Sequence, residues 1–298
     1  MKIPIIFLGT AQAIPTARRN HIAMLLKYKS ETILVDCGEG TQRQFRKAKL
    51  NPCKITRLLI THWHGDHVLG MPGLFQTLVL SNYNKPLHIY GPKGTKRLCK
   101  NLIKLFIPVL KFKAEVHEVK GKFLETPDFY IEALPLQHGA PCNAYVFVEK
   151  DKIRLDKKKL KKLDLPQSSL LADLKKGKNI KYKGKKIKVG SLTYVQKGKK
   201  IAFVMDTILH KNCYKAAKNA NLLIAESTYT EKEKDLAKNY KHLTAGQAAQ
   251  IAKKSGAKKL ILSHISQRYD NKENLILKEA KKIFKNTTIA EDFTKIEI

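Results

Sequence analysis

No apolar run in this sequence approaches the roughly 20 residues that a membrane-spanning helix needs. The apolar start, Ile3-Pro4-Ile5-Ile6-Phe7, is too short for a secretory signal and has no small-residue cleavage pattern, so it reads as a first strand. Cysteine is sparse. Its five positions (Cys37, Cys53, Cys99, Cys142, Cys213) are odd in number, scattered, and free of any Cys-x-x-Cys. That excludes a disulfide framework and fits a reduced, cytoplasmic protein. Cys37, although close to Asp36 and Glu39, reads as a small buried residue at a strand end. The scarcest commodity is negative charge, with 25 acidic residues against 58 basic ones and a formal net charge of +33. Heat adaptation raises glutamate together with lysine. An excess this one-sided instead implies a polyanionic partner, and nucleic acid is the commonest large one.

What the sequence does hold is ligand chemistry, concentrated in Thr61-His62-Trp63-His64-Gly65-Asp66-His67. The apolar run Leu58-Leu59-Ile60 before it reads as a buried strand, and Val68 to Leu80 carries a helical apolar spacing. Three imidazoles and a carboxylate therefore sit on a strand-to-helix turn. His62 and His64 are two apart, so an extended backbone points them the same way, while Asp66 and His67 come round the turn. Neutral imidazole and carboxylate are ligands that suit zinc.

Three further candidates stand at element boundaries: His138 after strand 129–135, Asp206 after strand 199–205, and His264 at the tip of strand 258–263. Ligands at neighbouring strand tips can converge on one point. The periodicity also predicts strands over 3–9, 21–26, 32–36, 86–92, 143–149, 222–225 and 287–293. Helices are expected over 42–49, 68–80, 246–254 (with Thr244 as N-cap) and 272–284. Gly38 and Gly40 supply an adaptable backbone at the corner after the third strand. His88 and His117 read as ordinary strand residues, and His210 as a helix-start residue. Between Lys150 and Lys200 the composition shifts to 19 Lys or Arg against four Asp. This stretch is either a solvated insertion or a grip for nucleic-acid backbone.

The pattern His-x-His-x-Asp-His at 62–67 resembles the signature of the metallo-β-lactamase superfamily, and other segments resemble the ribonuclease Z family within it. These are Phe7-Leu8-Gly9-Thr10 through Pro15-x-x-x-Arg19-Asn20, Asp36-x-Gly-Glu-Gly-Thr-Gln42, Glu226-Ser227-Thr228, His242-x-Thr244 and Ser266-x-Arg268-Tyr269. Ala225 stands where that family has a histidine. The resemblance implies an α+β protein: a four-layer αβ/βα metallo-β-lactamase sandwich forming a single domain over 1–298. A basic arm, projecting and inserted at about 150–190, would bind the transfer-RNA body. Leu165-Pro166-Gln167-Ser168-Ser169 replaces the arm's usual Gly-Pro hinge.

The same resemblance implies two zinc ions. His62, His64 and His138 would hold one, Asp66, His67 and His264 would surround the other, and Asp206 would bridge them, with Asp36 supporting from behind. Arg18, Arg19, Asn20 and Arg268 would contact the substrate. The implied reaction removes the 3′ trailer from precursor transfer RNA by hydrolysis, leaving a 3′ hydroxyl. Asp66 would take the nucleophile's proton, while His242, oriented by Glu226, would protonate the departing oxygen. A homodimer is also implied. The turn motif taken alone admits a rival, a dinuclear hydrolase of the same fold acting on another nucleic acid or a small phosphodiester, and a second, a nucleic-acid binder without turnover.

Overall fold

The computed structural model describes residues 2–107, 109–163, 165–166 and 168–298. Two seven-stranded sheets carry the fold. The first runs, edge to edge, Lys295–Glu297, Pro4–Gly9, Ala23–Tyr28, Glu31–Val35, Arg57–Leu59, Leu87–Gly91 and Ala114–Glu118. The second runs Thr287–Ile289, Leu260–Ser263, Leu222–Glu226, Lys200–Val204, Asn143–Glu149, Phe129–Pro135 and Gly121–Glu125. Each sheet has a parallel block, built from the strands between Glu31 and Glu118 in the first and between Lys200 and Ile289 in the second.

Strands buried on both faces read as continuous apolar runs. Leu222–Glu226 and Leu260–Ser263 are buried at every position. Helices Thr41–Lys47, Met71–Leu80 and Thr95–Phe106 cover one face of the first sheet. There Phe45, Met71, Leu74, Phe75 and Cys99 pack on Leu25, Leu34, Leu58 and Ile89. Cys37 lies in this cluster as a small apolar group, and burial pushes its thiol up to about 12. Helices Lys211–Ala217, Ala245–Lys254 and Asn274–Ile283 lie against strands of the second sheet. Mixed α+β layering of this kind was expected from the sequence.

Several elements depart from their sequence readings. The helix expected over 68–80 is two, Gly65–Val68 and Met71–Leu80. The break falls at Gly70, where a Cβ would lie 1.9 Å from the carbonyl oxygen of Gly38. The strand expected over 287–293 is shorter, Thr287–Ile289, and a further strand, Lys295–Glu297, follows it in the other sheet. Thr287–Ile289 pairs in parallel with Leu260–Ser263, whereas Lys295–Glu297 pairs antiparallel with Pro4–Gly9. Between them the chain turns at Phe293, whose φ of 68° lies in the left-handed region. Helix Thr95–Phe106 and strand Gly121–Glu125 are not among the expected elements, and strand Ala114–Glu118 is anticipated only through His117.

The chain separates into two compact units, one comprising 1–125, 131–147 and 200–298, the other 126–130 and 148–199. Taken by itself, the second unit is built from two strand pairs, Lys152–Leu155 with Thr193–Gln196 and Ile180–Tyr182 with Lys185–Ile187. Short helices Lys157–Lys162 and Ser169–Lys175 accompany them. Leu174, Ile180 and Leu192 form its small core, with Leu155, Leu160, Leu165, Leu170 and Leu171 packed around them. The sparse leucines of this lysine-rich stretch are thus enough to nucleate a core. Of the segment 165–169, Gln167 lies outside the described residues.

The corner after strand Glu31–Val35 depends on the absence of a side chain at Gly38. A Cβ there would lie 2.3 Å from the Asp66 carbonyl oxygen and 2.5 Å from the His21 Cβ. Gly38→Ala is expected to force the 62–67 turn outward and to cost roughly 1–3 kcal/mol, as overpacking of a tight site does. Urea unfolding with an unchanged midpoint would refute this.

Candidate metal centre

Several of the parallel strands in each sheet deliver their carboxyl ends to one site, the end at which ligands of open α/β sheets commonly bind. Strand Glu31–Val35 ends at Asp36 and strand Leu260–Ser263 at His264, and both residues adopt left-handed backbone, with φ of 58° and 57°. Such a conformation is strained for residues other than glycine and is kept where the surroundings dictate it. Strand Lys200–Val204 runs out toward Asp206, strand Leu222–Glu226 ends in Glu226 itself, and strand Arg57–Leu59 leads into the histidine turn. His242 follows the helix Lys234–Tyr240 through Lys241, again with positive φ.

All seven expected ligands converge. The donor atoms of His62, His64 and His138 form one close group, and those of Asp66, His67, Asp206 and His264 another, each within 4.8 Å. Asp206 faces both. Its Oδ1 lies 3.4 Å from His67 Nε2 and 3.3 Å from His264 Nε2, while its Oδ2 lies 3.8 Å from both His62 Nε2 and His138 Nε2. Asp66 Oδ2 is 3.3 Å from His264 Nε2.

The rings are held by their other nitrogens. His67 Nδ1 donates to Asp36 Oδ2 at 2.8 Å, and His138 Nδ1 donates to the Lys241 carbonyl at 3.0 Å. His62 Nδ1 stands 3.2 Å from the Thr61 hydroxyl, which itself donates to Asp36 at 2.8 Å. His264 Nδ1 stands 3.1 Å from the Thr228 hydroxyl. With Nδ1 engaged in this way, the rings of His62, His67, His138 and His264 turn Nε2 inward. His67 Nε2 and His264 Nε2 are 3.3 Å apart, and His138 Nε2 and His64 Nδ1 are 3.1 Å apart. A proton shared between the two nitrogens, or a metal ion that both ligate, satisfies each approach. Ligands about 2.1 Å from a tetrahedral metal sit roughly 3.4 Å from one another, so the spacing fits a metal. The buried atoms His62 Nε2 and Asp206 Oδ1 find no hydrogen-bond partner among the described residues, which a metal would supply.

The electrostatics agree. Burial, reinforced by the neighbouring imidazoles, holds His62 well below its usual range and therefore neutral. Burial opposes charge on Asp206, but His264, His67 and His62 outweigh it and hold the carboxylate ionised. His67 and His264 do the same for Asp66. Burial also opposes a proton on His67, yet Asp206, Asp36 and Asp66 raise its affinity well above the ordinary value. A divalent cation bound here would displace that proton, since metal binding to imidazole releases one.

Beside the seven stands a pair of different character. His242 Nδ1 donates to Glu226 Oε2 at 2.9 Å and lies 3.7 Å from Asp206 Oδ2. Burial lowers the proton affinity of His242, but the Glu226 charge and hydrogen bond win and bring it up to about 9. The Thr228 hydroxyl donates to the same Glu226 oxygen at 2.7 Å.

Comparison with known proteins places the chain in a family. The sequence profile of a family described as anti-Pycsar protein Apyc1 matches residues 3–105. Over 98% of its length the chain is 38% identical to a ribonuclease Z of Methanothermobacter thermautotrophicus, covering 95% of that protein. A ribonuclease Z of Thermococcus onnurineus is 41% identical over 90% of the chain and 86% of its own. The chain belongs to the ribonuclease Z family. Among solved structures, human tRNase Z, short form, superposes with a TM-score of 0.72 at 29% identity, covering 98% of both chains. The fold is therefore the metallo-β-lactamase fold that the turn motif implied.

Within this ribonuclease Z frame, three substrate contacts read from the sequence meet different surroundings. Arg19 is buried, donating through Nη1 to the Thr10 hydroxyl at 2.7 Å and the Ala290 carbonyl at 2.6 Å, with Glu273 3.4 Å from Nε. Its guanidinium fastens the 10–20 loop to the C-terminal segment and does not face a phosphate, which corrects the sequence reading. Asn20 does similar work, its Nδ2 donating to the Glu39 carbonyl at 2.6 Å. Arg18 is half-exposed but paired with Asp270 and Glu273. Arg268 is exposed. His210 caps helix Lys211–Ala217, as its place in the sequence implied.

Sequence reasoning missed Thr61 and underused Thr228. The sole signal for either was a hydroxyl residue beside a ligand or an acid. Because Asp36 orients both Thr61 and His67, Asp36→Asn is expected to weaken metal binding by about 10–100-fold, the usual penalty for losing an outer hydrogen-bond partner. Competition with a chelator, followed by elemental analysis, measures it, and an unchanged affinity would remove Asp36 from this role.

Proposed function

We propose that the chain is an endoribonuclease that removes the 3′ trailer from precursor transfer RNA in the cytoplasm. Hydrolysis of the phosphodiester leaves a 3′ hydroxyl on the transfer RNA. In this reading His62, His64 and His138 would hold one zinc, Asp66, His67 and His264 would hold a second, and Asp206 would be shared between them. Bound there, zinc supplies a deprotonated water near neutral pH and offsets charge on the phosphoryl oxygens. The observation that carries the proposal is the His242–Glu226 pair, placed 3.7 Å from Asp206 yet outside the seven-donor set.

That pair gives an acid where a leaving oxygen needs one. Glu226 keeps a proton on His242, and His242 delivers it from the ring's far nitrogen to the departing 3′ oxygen. Thr228 and the Thr207 backbone N–H (2.7 Å) fix the Glu226 carboxylate, so the acid does not rotate away. Asp66, ionised and only partly buried, accepts the proton lost by the nucleophile. Arg268 and the solvent-facing edge of Arg18 meet backbone phosphates. The lysine-rich unit over 148–199 grips the transfer-RNA body through charge, and a homodimer lets one subunit's unit serve the other's pocket.

The rival reading, a hydrolase of another nucleic acid or a small phosphodiester, uses the same pocket. It gives no reason for the basic unit or for the segment Ser266–Tyr269. Cleavage-site mapping on labelled precursor transfer RNA, beside assays on a small chromogenic diester and with chelator controls, separates the two. Cutting at the trailer junction that stops with chelator supports the proposal, whereas turnover confined to the small diester overturns it. Asp66→Ala and His242→Ala should each lose roughly 100-fold or more in kcat, the scale of a general base or acid.

The pH dependence follows from His242. The acid works in its protonated form, which predominates below about 9. The chemical rate should hold through neutral pH and then fall roughly tenfold per unit above that value. Glu226→Gln removes the charge that raises His242 and leaves the burial that lowers it, so the alkaline limb should move to lower pH. Identical limbs in the two proteins would show that His242 is not the acid.

A further inference from the structure

We infer a second, separate cation site at the edge of the first sheet, formed by His88, Glu115 and His117 and suited to a borderline divalent ion such as Zn2+ or Ni2+. The sequence gives these residues no visible relation, since 26 positions separate His88 from the Glu115-x-His117 pair. Strand pairing creates the relation. Leu87–Gly91 and the edge strand Ala114–Glu118 run in parallel with His88 opposite Glu115 and Tyr90 opposite His117. Alternation sends Leu87 and Ile89 into the helix-covered core. The three ligand-type side chains therefore share the opposite face, with Tyr90.

The geometry is that of a ligand set. The donor atoms of the three residues lie within 4.8 Å of one another. His88 Nδ1 is 3.0 Å from Glu115 Oε2, and the two imidazole rings are 6.3 Å apart, centre to centre. His117 is backed by Tyr90, at 5.1 Å between rings, and Tyr90 by Phe123 at 4.8 Å. One wall of the site is thus packed, while the His88 and Glu115 side chains keep 31% and 25% exposure and room to turn. Two imidazoles and one carboxylate, with remaining positions open to water, suit Zn2+ or Ni2+ better than Ca2+ or Mg2+.

The nearby charges permit a cation. Arg57, opposite His88 on the neighbouring strand, is engaged by both oxygens of Glu31 at 3.0 Å. Lys113 touches Glu115 at 2.6 Å but is 74% exposed, so it can swing into solvent when an ion arrives. Burial, then the charge of Arg57, lowers the proton affinity of His88, which leaves its imidazole neutral and ready to ligate at pH 7.5. None of the three residues belongs to the seven-donor pocket or to the His242–Glu226 pair. A bound ion would tie the exposed edge strand to its neighbour and stabilise the folded state by mass action.

The test compares the wild-type protein with His117→Ala and with the milder Glu115→Gln. Each is equilibrated with micromolar Zn2+ at pH 7.5, freed of loose metal by gel filtration and analysed for zinc per chain, with circular dichroism and precursor cleavage checking the fold. Both variants should carry about one equivalent less than wild type at unchanged cleavage, and should lose part of the zinc-dependent rise in Tm. Anomalous diffraction at the zinc edge from wild-type crystals should show density between His88 and His117, a readout that needs no variant. Equal zinc content in all three proteins, or anomalous density confined to the Asp206 pocket, overturns the inference.

Discussion

The constraint on which this structure turns is the mutual approach of imidazole nitrogens around one buried carboxylate. His67 and His264 present Nε2 atoms 3.3 Å apart, and His64 and His138 bring nitrogens to 3.1 Å. Asp206 sits between the two groups and divides its oxygens between them. A metal ion bound among these donors would displace the protons that they otherwise share. Metal binding and the stability of the strand tips are therefore coupled.

Everything around that pocket serves to aim it. Asp36 accepts from the Thr61 backbone, the Thr61 hydroxyl and His67, so one buried carboxylate orients the turn from behind. His264 and Asp36 hold left-handed backbone at strand ends, where each side chain must leave the sheet direction to reach the centre. The Lys241 carbonyl, next to His242, orients His138, so one short loop positions both imidazoles.

The charge of the chain follows a different logic. Its ligand pocket is built from buried, mutually compensating groups, whereas most of the excess lysine is exposed. The 148–199 unit concentrates that excess around a core of a few leucines and isoleucines. A basic surface attracts a polyanion at long range and confers little selectivity, so discrimination falls to the fixed groups near the pocket. Arg19 shows how the two roles separate: a guanidinium that composition counts as part of the basic surface is in fact a buried fastener between the 10–20 loop and the C-terminal segment.

What the sequence determined by itself was the chemistry and its addresses. Four donors within six residues identified the 62–67 turn, and the placing of His138, Asp206 and His264 at strand ends was legible because apolar runs stop where the backbone leaves the core. Most strands were found within two residues for the same reason, as hydrophobic period follows burial. What only the tertiary structure decided was every relation between residues distant in the chain. The division of Asp206 between two groups, the Thr61 and Thr228 hydroxyls behind the rings, the retirement of Arg19 from the surface and the meeting of His88 with His117 all arise from contacts between segments far apart in the chain. Local periodicity records which face of an element is buried. It does not record which other element that face will meet.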